Sequence, residues 1–345
     1  MYERIDNFII RRPDGIRYSN SLVIGPGISV TETAGGIPEI TGFPGEVTLM
    51  PCGNDDTAAI RAALAVYPRV RLGPGTFHLG ATVTIEAGRE VVGLGPSTVV
   101  LVTHTGIGFN LTGDFTAIEN LGIFGSGDFF PGHVAVSATG VRHVRLRQIV
   151  MASFGRGIEL NQVSNVLVSG VDAEDFGTGH GISVVGPGDQ VSVTDIRMNG
   201  AHSAGINLVL VNGVRCEGVV VQDSGNGIRM QQVRSAVLGS AQIYTFGPGL
   251  LVQNSSSVEI AGVQIEGSNA LFRIENTSGA VLGGCGTVES RTTSLTIRGG
   301  TAVTVDGFSS AMAASLTSAP PHVLVDGGST LVMLSGVHRV NPTTP

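Results

Sequence analysis

The sequence predicts an all-β chain wound as a single-stranded, right-handed parallel β-helix, with a short capping helix and a small β segment at its N-terminal end. Three observations predict this solenoid. First, a phrase of one apolar, one mostly polar and one apolar residue recurs as VTI, FNL, VAV, IEL, ISV, INL, IRM, LLV, FRI and LTI. The copies begin at Val83, Phe109, Val134, Ile158, Ile182, Ile206, Ile228, Leu250, Phe272 and Leu295, so neighbours stand 22 to 26 residues apart. Second, an apolar-x-apolar-x-x-apolar frame falls between the copies as VLVSGV (166–171), VSVTDI (191–196), VRCEGV (214–219) and VEIAGV (258–263). Third, a glycine precedes the phrase at Gly108, Gly157, Gly181, Gly205, Gly227 and Gly249.

Alternation with a period of two makes the phrase a strand. A fixed period of this length marks units that cannot bury an apolar face alone and must stack on their neighbours. Because both frames keep step, like stacks on like in parallel, and parallel crossovers are overwhelmingly right-handed. In these six copies the glycine allows the chain to take positive φ as it turns into the strand. At ~4.8 Å per coil, about eleven coils give a rod roughly 50 Å long.

Residues 1–48 do not share the coil frame. The piece SLVIGPGISVTETAGGIPEITGFPGEVTL reads as two or three short strands between Gly-Pro turns, either a small β domain or arm for attachment and oligomer contact, or a strap on the rod. The β-helix is assigned to residues 49–312, with a capping helix near 56–66. In NDDTAAIRAALAVYP, Asp55 or Asp56 caps the helix, the Ala, Ile and Leu residues form its body and Pro68 ends it. Such a helix covers the apolar side chains and unpaired edges of an open solenoid end. Residues 313–345 are read as a C-terminal capping or oligomerisation hairpin, with Asp326-Gly327-Gly328 at its turn.

The run Asp55-Asp56-Thr57-Ala58-Ala59-Ile60-Arg61-Ala62-Ala63-Leu64, then Val70-Arg71-Leu72-Gly73-Pro74-Gly75-Thr76-Phe77 and Val92-Gly93-Leu94-Gly95, resembles the opening of the pectate-lyase-like superfamily. It is most similar to the branch of phage tailspikes, polysaccharide depolymerases and epimerase-like proteins. The resemblance is detailed over about residues 52 to 102, and the coil pattern carries it to about residue 300. It implies the fold. It leaves the reaction open, because the superfamily includes lyases, hydrolases, epimerases and silent adhesins.

Composition narrows the class. The chain has 345 residues, 51 of them Gly, no Trp, 42% apolar and 14% charged residues, which suits short strands and tight corners and argues against disorder. A net charge of −7, with no basic cluster interleaved with aromatics, speaks against nucleic acid. No stretch reaches the ~18 apolar residues of a membrane span. The start MYERIDNFIIRR does not resemble a secretory signal. Of Cys52, Cys216 and Cys285, Cys216 falls on an inward column with Val168, Val193, Leu238 and Ile260 and reads as a small core residue. Cys and His spacings for a metal are absent, and no cofactor is expected.

Stacking makes lateral neighbours of residues one period apart, so chemistry is sought down columns. The segment VDAEDFGTGHG brings Asp172, Glu174, Asp175 and His180, the next coil Arg197, Asn199 and His202, and the one after it Gln222 and Asp223. Asp175 and Asp223 share a column two coils apart, ~9.6 Å between backbones. Inverting glycosidases hold their carboxyls about 6.5–9.5 Å apart, so the candidate catalytic set is Asp175 and Asp223, with His180 and Arg197 at the rim. The plain alternative is a solvated turn edge on which Asp172 pairs with Arg197 across coils. Gly179-His180-Gly181 resembles an element of polygalacturonases. However, the same slot reads Gly-Arg-Gly, Ser-Ala-Gly, Gly-Asn-Gly and Gly-Pro-Gly in other coils, so the turn alone explains its glycines.

Glu159, Ser183, Asn207, Arg229, Leu251 and Arg273 form a second, outward column whose polar members suit sugar hydroxyls. The candidate carbohydrate-binding residues are therefore Glu159, Asp172, Glu174, Asn199, Asn207, Gln222 and Arg229. Val185, Val209 and Leu210 form an apolar patch beside it that suits a subunit interface. These features, with the resemblance, lead to the expectation of a phage or phage-like particle spike or fibre protein that recognises cell-surface polysaccharide. It would be a homotrimer on the particle surface, joined to other particle components through residues 1–48 and extracellular after release. The alternative is a polysaccharide depolymerase acting on capsule, lipopolysaccharide or a uronic-acid polymer, a hydrolase before a lyase.

Overall fold

A computed structural model describes residues 45–340 apart from 128, 130, 131, 268–270, 291, 292, 313–321 and 327, together with six strands within the first 41 residues. Those six strands form three antiparallel pairs: Glu3–Ile5 with Leu22–Ile24, Phe8–Arg12 with Gly15–Ser19, and Ser29–Glu32 with Pro38–Thr41. From Glu46 on, pairing between strands is parallel. Strand Glu46–Leu49 lies in register with Arg69–Leu72, so the solenoid starts at Glu46, just inside the segment the sequence reading set apart.

The architecture is a right-handed parallel β-solenoid of about 11 turns with one helix near its N-terminus. Its phrase column runs Val83, Phe109, Val136, Ile158, Ile182, Ile206, Ile228, Leu250, Phe272, Leu295 and Val323. One copy differs from the expected alignment. Val136, not Val134, stands between Phe109 and Ile158, while Val134 pairs with Ile107 and Arg156. The segment VAVSA alternates equally well in either frame, and only the neighbouring coils choose between them.

The second frame stacks as expected, with Val166, Val191, Val214, Ala236 and Val258 in one inward column. Cys216 lies between Val193 and Leu238 and is fully buried. The structure also explains the doubled spacer in apolar-x-apolar-x-x-apolar. Its second member takes left-handed φ, +63° at Gly170, +55° at Asp195, +63° at Gly218 and +65° at Gly262, bending one long strand between two faces of the coil. Gly and Asp are residues that reach this region at low cost.

The glycines before the phrase have a different origin from the one expected. None of the six takes positive φ. They are needed because the corner packs too closely for a side chain. A Cβ at Gly181 would meet Met198 Sδ at 2.1 Å, one at Gly205 would meet Val221 Cγ1 at 2.5 Å, and one at Gly249 would meet Ile265 Cγ2 at 2.3 Å. At these three corners the space is filled by an inward side chain that follows the glycine in the chain, and at Gly157 and Gly108 the first obstacle is a carbonyl of the next coil, Gly181 O at 2.2 Å and Ala135 O at 2.8 Å.

The helix spans Thr57–Val66 and packs Ile60, Ala63 and Leu64 against Glu46–Leu49, Arg69–Leu72 and Val83–Ile85. Both aspartates at its start act, in different ways. Asp55 Oδ1 accepts from the Thr57 amide at 2.9 Å and from the Gly80 amide at 3.0 Å. Asp56 accepts from the Cys52 and His78 amides at 2.8 and 2.9 Å, so it ties the helix to the first coils and does not cap it by a side-chain bond. The Thr57 hydroxyl, then the Gly80 amide, hold the Asp55 carboxyl at about 2.

At the other end, the structure has another parallel coil where the sequence suggested a hairpin. Val323–Val325, Met333–Ser335 and His338–Val340 pair in parallel with Leu295–Arg298, Thr304–Asp306 and Ser309–Met312. Asp326, which with its glycines favours a two-residue hairpin in the sequence, instead braces the coil stack, its Oδ1 accepting from the Gly299 and Gly328 amides at 3.2 and 3.3 Å.

Candidate functional site

The outward face of the phrase strands carries two columns. The nearer runs Ser137, Glu159, Ser183, Asn207, Arg229, Leu251 and Arg273. The farther runs Asn161, Val185, Val209, Gln231, Gln253 and Glu275. An ordinary outward sheet face is wet, yet Ser183 and Asn207 are only 5% and 3% exposed. These two short side chains lie low in the middle of the face, with Arg156 and Glu159 on one side and Arg229 on the other. The result is a polar recess.

Arg156 and His180 belong to the corner slot in front of the phrase, where the Gly157 amide donates to His180 O at 3.1 Å and the Gly181 amide to Ala204 O at 3.1 Å. Arg156 Nη1 pairs with Glu159 Oε1 at 2.7 Å. Asn207 Nδ2 donates to Ser183 Oγ at 3.0 Å, and Arg229 Nη2 donates to Gln231 Oε1 at 2.6 Å. Three buried polar atoms in this recess have no partner: His180 Nδ1, Asn207 Oδ1 and Arg229 Nε. Each such atom costs on the order of 1–3 kcal/mol unless something bonds to it. Burial, then the charges of Arg229 and Arg156, push the His180 imidazole below its ordinary value and keep it neutral. A neutral ring among two guanidiniums, an amide and a hydroxyl offers both donors and acceptors to a polyhydroxylated ligand.

The remaining sequence candidates lie on a different face. Asp172 is level with Arg197 and Val220, and Glu174 with Asn199 and Gln222, all outward on the strand stretch that ends at the corner. Asp172 and Arg197 stand 4.0 Å apart with side chains 57% and 71% exposed, the solvated cross-coil pair the plain alternative described. Such a pair contributes little. Asp175 and Asp223 are exposed and take φ of +55° and +47°, and Gly200 lies between them at +73°. Left-handed backbone therefore accounts for the residue types in this column. The candidates thus divide: Glu159, His180, Asn207 and Arg229 meet in the recess, whereas Asp172, Glu174, Asp175, Arg197, Asn199, Gln222 and Asp223 share the neighbouring face.

Sequence reasoning did not select Arg156, Ser183 or Gln231 as site residues. Ser183 stood in the polar column and Arg156 in the corner slot, so both columns held the signal. What was missing is the depth of the face. Among the described residues no cluster of three or more His, Cys, Asp or Glu side chains could hold a metal ion, and no helix is long and apolar enough to cross a membrane.

No protein-family model and no curated protein sequence matches the chain. Solved structures do. The chain superposes on the DFA-IIIase of Arthrobacter chlorophenolicus A6 without its lid with a TM-score of 0.68 at 14% identity, covering 87% of this chain and 99% of that one. The A-module of the Azotobacter vinelandii mannuronan C-5 epimerase AlgE6 gives 0.57 at 14% identity, over 84% and 96%. ORF18 of Geobacillus virus E2 gives 0.55 at 12% identity, over 92% and 69%. At these identities the likeness establishes the right-handed parallel β-helix, the fold that the opening motif implied.

Proposed function

We propose that this protein binds a cell-surface polysaccharide along the outward face of its phrase strands, as a spike or fibre protein of a phage or phage-like particle. The observation that carries the reading is the recess, where three buried polar atoms of His180, Asn207 and Arg229 lack partners beside a column that is polar from Ser137 to Arg229. An extended glycan running along the solenoid axis would meet a new set of side chains every ~4.8 Å. The structural likeness to a mannuronan C-5 epimerase module and to a DFA-IIIase supports a carbohydrate ligand, and the likeness to a protein of Geobacillus virus E2 supports the phage setting. Attachment through the N-terminal segment and assembly as a homotrimer belong to the same reading.

The test is adsorption of the purified chain to capsule and lipopolysaccharide preparations, with light scattering for the oligomer. Binding is expected, with a loss of about tenfold or more in His180→Ala and Arg229→Ala, since each removes a group that would pair with ligand. A monomer that adsorbs to no envelope preparation overturns the proposal.

A second reading, a depolymerase that favours hydrolysis, draws on the His180 imidazole, held below its ordinary value by burial and by Arg229 and Arg156, in a recess where Arg156 also pairs with the Glu159 carboxylate. In its sequence-based form the acid and base are Asp175 and Asp223, with His180 and Arg197 at the rim. That form predicts reducing ends released from the bound polymer and no release by Asp175→Asn.

A further inference from the structure

A cleft on another face of the solenoid has no part in the recess. It is about 480 Å³ and lies along the start of the second strand stretch, walled by Phe115, His143, Asn165 and Gln190 on one side and by Glu90 and Arg145 on the other. The first wall is one column of left-handed residues, with φ of +61°, +58°, +54° and +57° in chain order. The coil before supplies Gly88 at +67°, and a later coil Gly213 at +65°. Asn and Gly suit that conformation. Phe115 bears the Cβ crowding that any side chain meets there and, unlike Asn, has no polar group to offset it with a local hydrogen bond.

Phe115 also gains little from burial. It is 62% exposed, whereas Phe77, Phe109, Phe154, Phe176, Phe272 and Phe308 are fully enclosed. Its ring stacks on His143 with centroids 4.3 Å apart and planes 8° from parallel. A strained, exposed aromatic stack that the fold does not require marks a site where a local rule is broken for another purpose.

The other wall sets a fixed ion pair beside Leu167, which lies level with Arg145. Arg145 Nη2 pairs with Glu90 Oε1 at 2.6 Å, and Arg145 Nε lies 3.5 Å from Glu119 Oε1. Small-ligand clefts combine such aromatic surface with a few convergent polar groups, and this volume is in their usual range. A sugar ring has a matching shape, an apolar C–H face for the aromatic wall and a rim of hydroxyls for the amides and the ion pair. Nucleobases stack as well, but Arg145 is already engaged by Glu90 and Glu119, and a chain of net charge −7 offers no basic cluster for their phosphates.

We propose that this cleft is a second glycan site, which takes neutral sugar rings of a chain against the Phe115–His143 stack. The inference does not depend on the recess. The test is saturation-transfer NMR of the full chain with cellotriose and maltotriose, and with a thymidine oligonucleotide as the competing class. Transfer to ring C–H protons of a trisaccharide is expected. Phe115→Asn should weaken it by about tenfold through loss of the aromatic face, while its thermal midpoint stays the same or rises because Asn accepts left-handed φ. That combination separates lost binding from lost folding, and adsorption through the recess should persist in the same variant. No transfer to either trisaccharide, equal transfer in Phe115→Asn, or binding of the oligonucleotide alone would overturn the proposal.

Discussion

Replacing Gly205 by alanine tests whether the corner glycines answer to packing or to backbone conformation. The new Cβ would lie 2.5 and 2.9 Å from the two methyls of Val221, against 3.1 Å from Gly227 O. Ordinary contact is near 3.4–4 Å, so the obstacle is chiefly a side chain, and Val221 is fully buried with no space to yield. Overpacking of this kind costs about 1–3 kcal/mol. Val221→Ala by itself removes two buried methyls, about 2 kcal/mol with the cavity included. The double variant trades two methyls for one in the same place, so its loss should be about 1–1.5 kcal/mol, well below the sum. Guanidinium unfolding followed by far-UV circular dichroism reads all four proteins, with unchanged slopes as the condition for comparing midpoints. Gly262→Ala is the control. There φ is +65° and the nearest atom to a Cβ is 3.8 Å away, so the cost of about 1–2 kcal/mol is conformational and no trimming of a neighbour relieves it. Additive losses at Gly205 and Val221, to within about 0.5 kcal/mol, would refute the packing argument.

Two further outcomes follow from the same structure. Asp55 is held at about 2 against an ordinary 3.8, so its contribution to stability is complete above 3.8 and disappears as pH falls towards 2. The thermal midpoint should fall across that interval in the native chain and fall less in Asp55→Asn; equal slopes would contradict the role given to this carboxylate. Burial pushes the Cys216 thiol up to about 12 and raises that of Cys285, while Cys52 is exposed. A thiol reagent at neutral pH should therefore modify one cysteine in the native protein and three after denaturation, and more than one rapid equivalent would count against the buried columns.

Much of the fold was legible because a solenoid repeats its local pattern at a fixed interval. Nine of the ten phrase positions stack where the alternation put them, and Cys216 occupies the expected place between Val193 and Leu238. Val134 failed because VAVSA alternates in two frames, and the C-terminal segment because Asp326, read with its glycines as a hairpin turn, braces the coil stack instead. The site was less legible. Asp175 and Asp223 are acidic residues where left-handed backbone also favours Asp, and nothing in one dimension separates a turn former from a catalyst. Phe115 drew no attention, because its significance lies in its φ and exposure and not in its neighbours along the chain.

By itself, the sequence determined the coil, its period and which side chains point inward, since these depend on alternation and on apolar residues seeking one another. Only the tertiary structure decided which polar column is sunk below the surface. Depth on a face depends on the lengths of side chains in adjacent coils, and Ser183 and Asn207 become buried only once Arg156, Glu159 and Arg229 stand beside them.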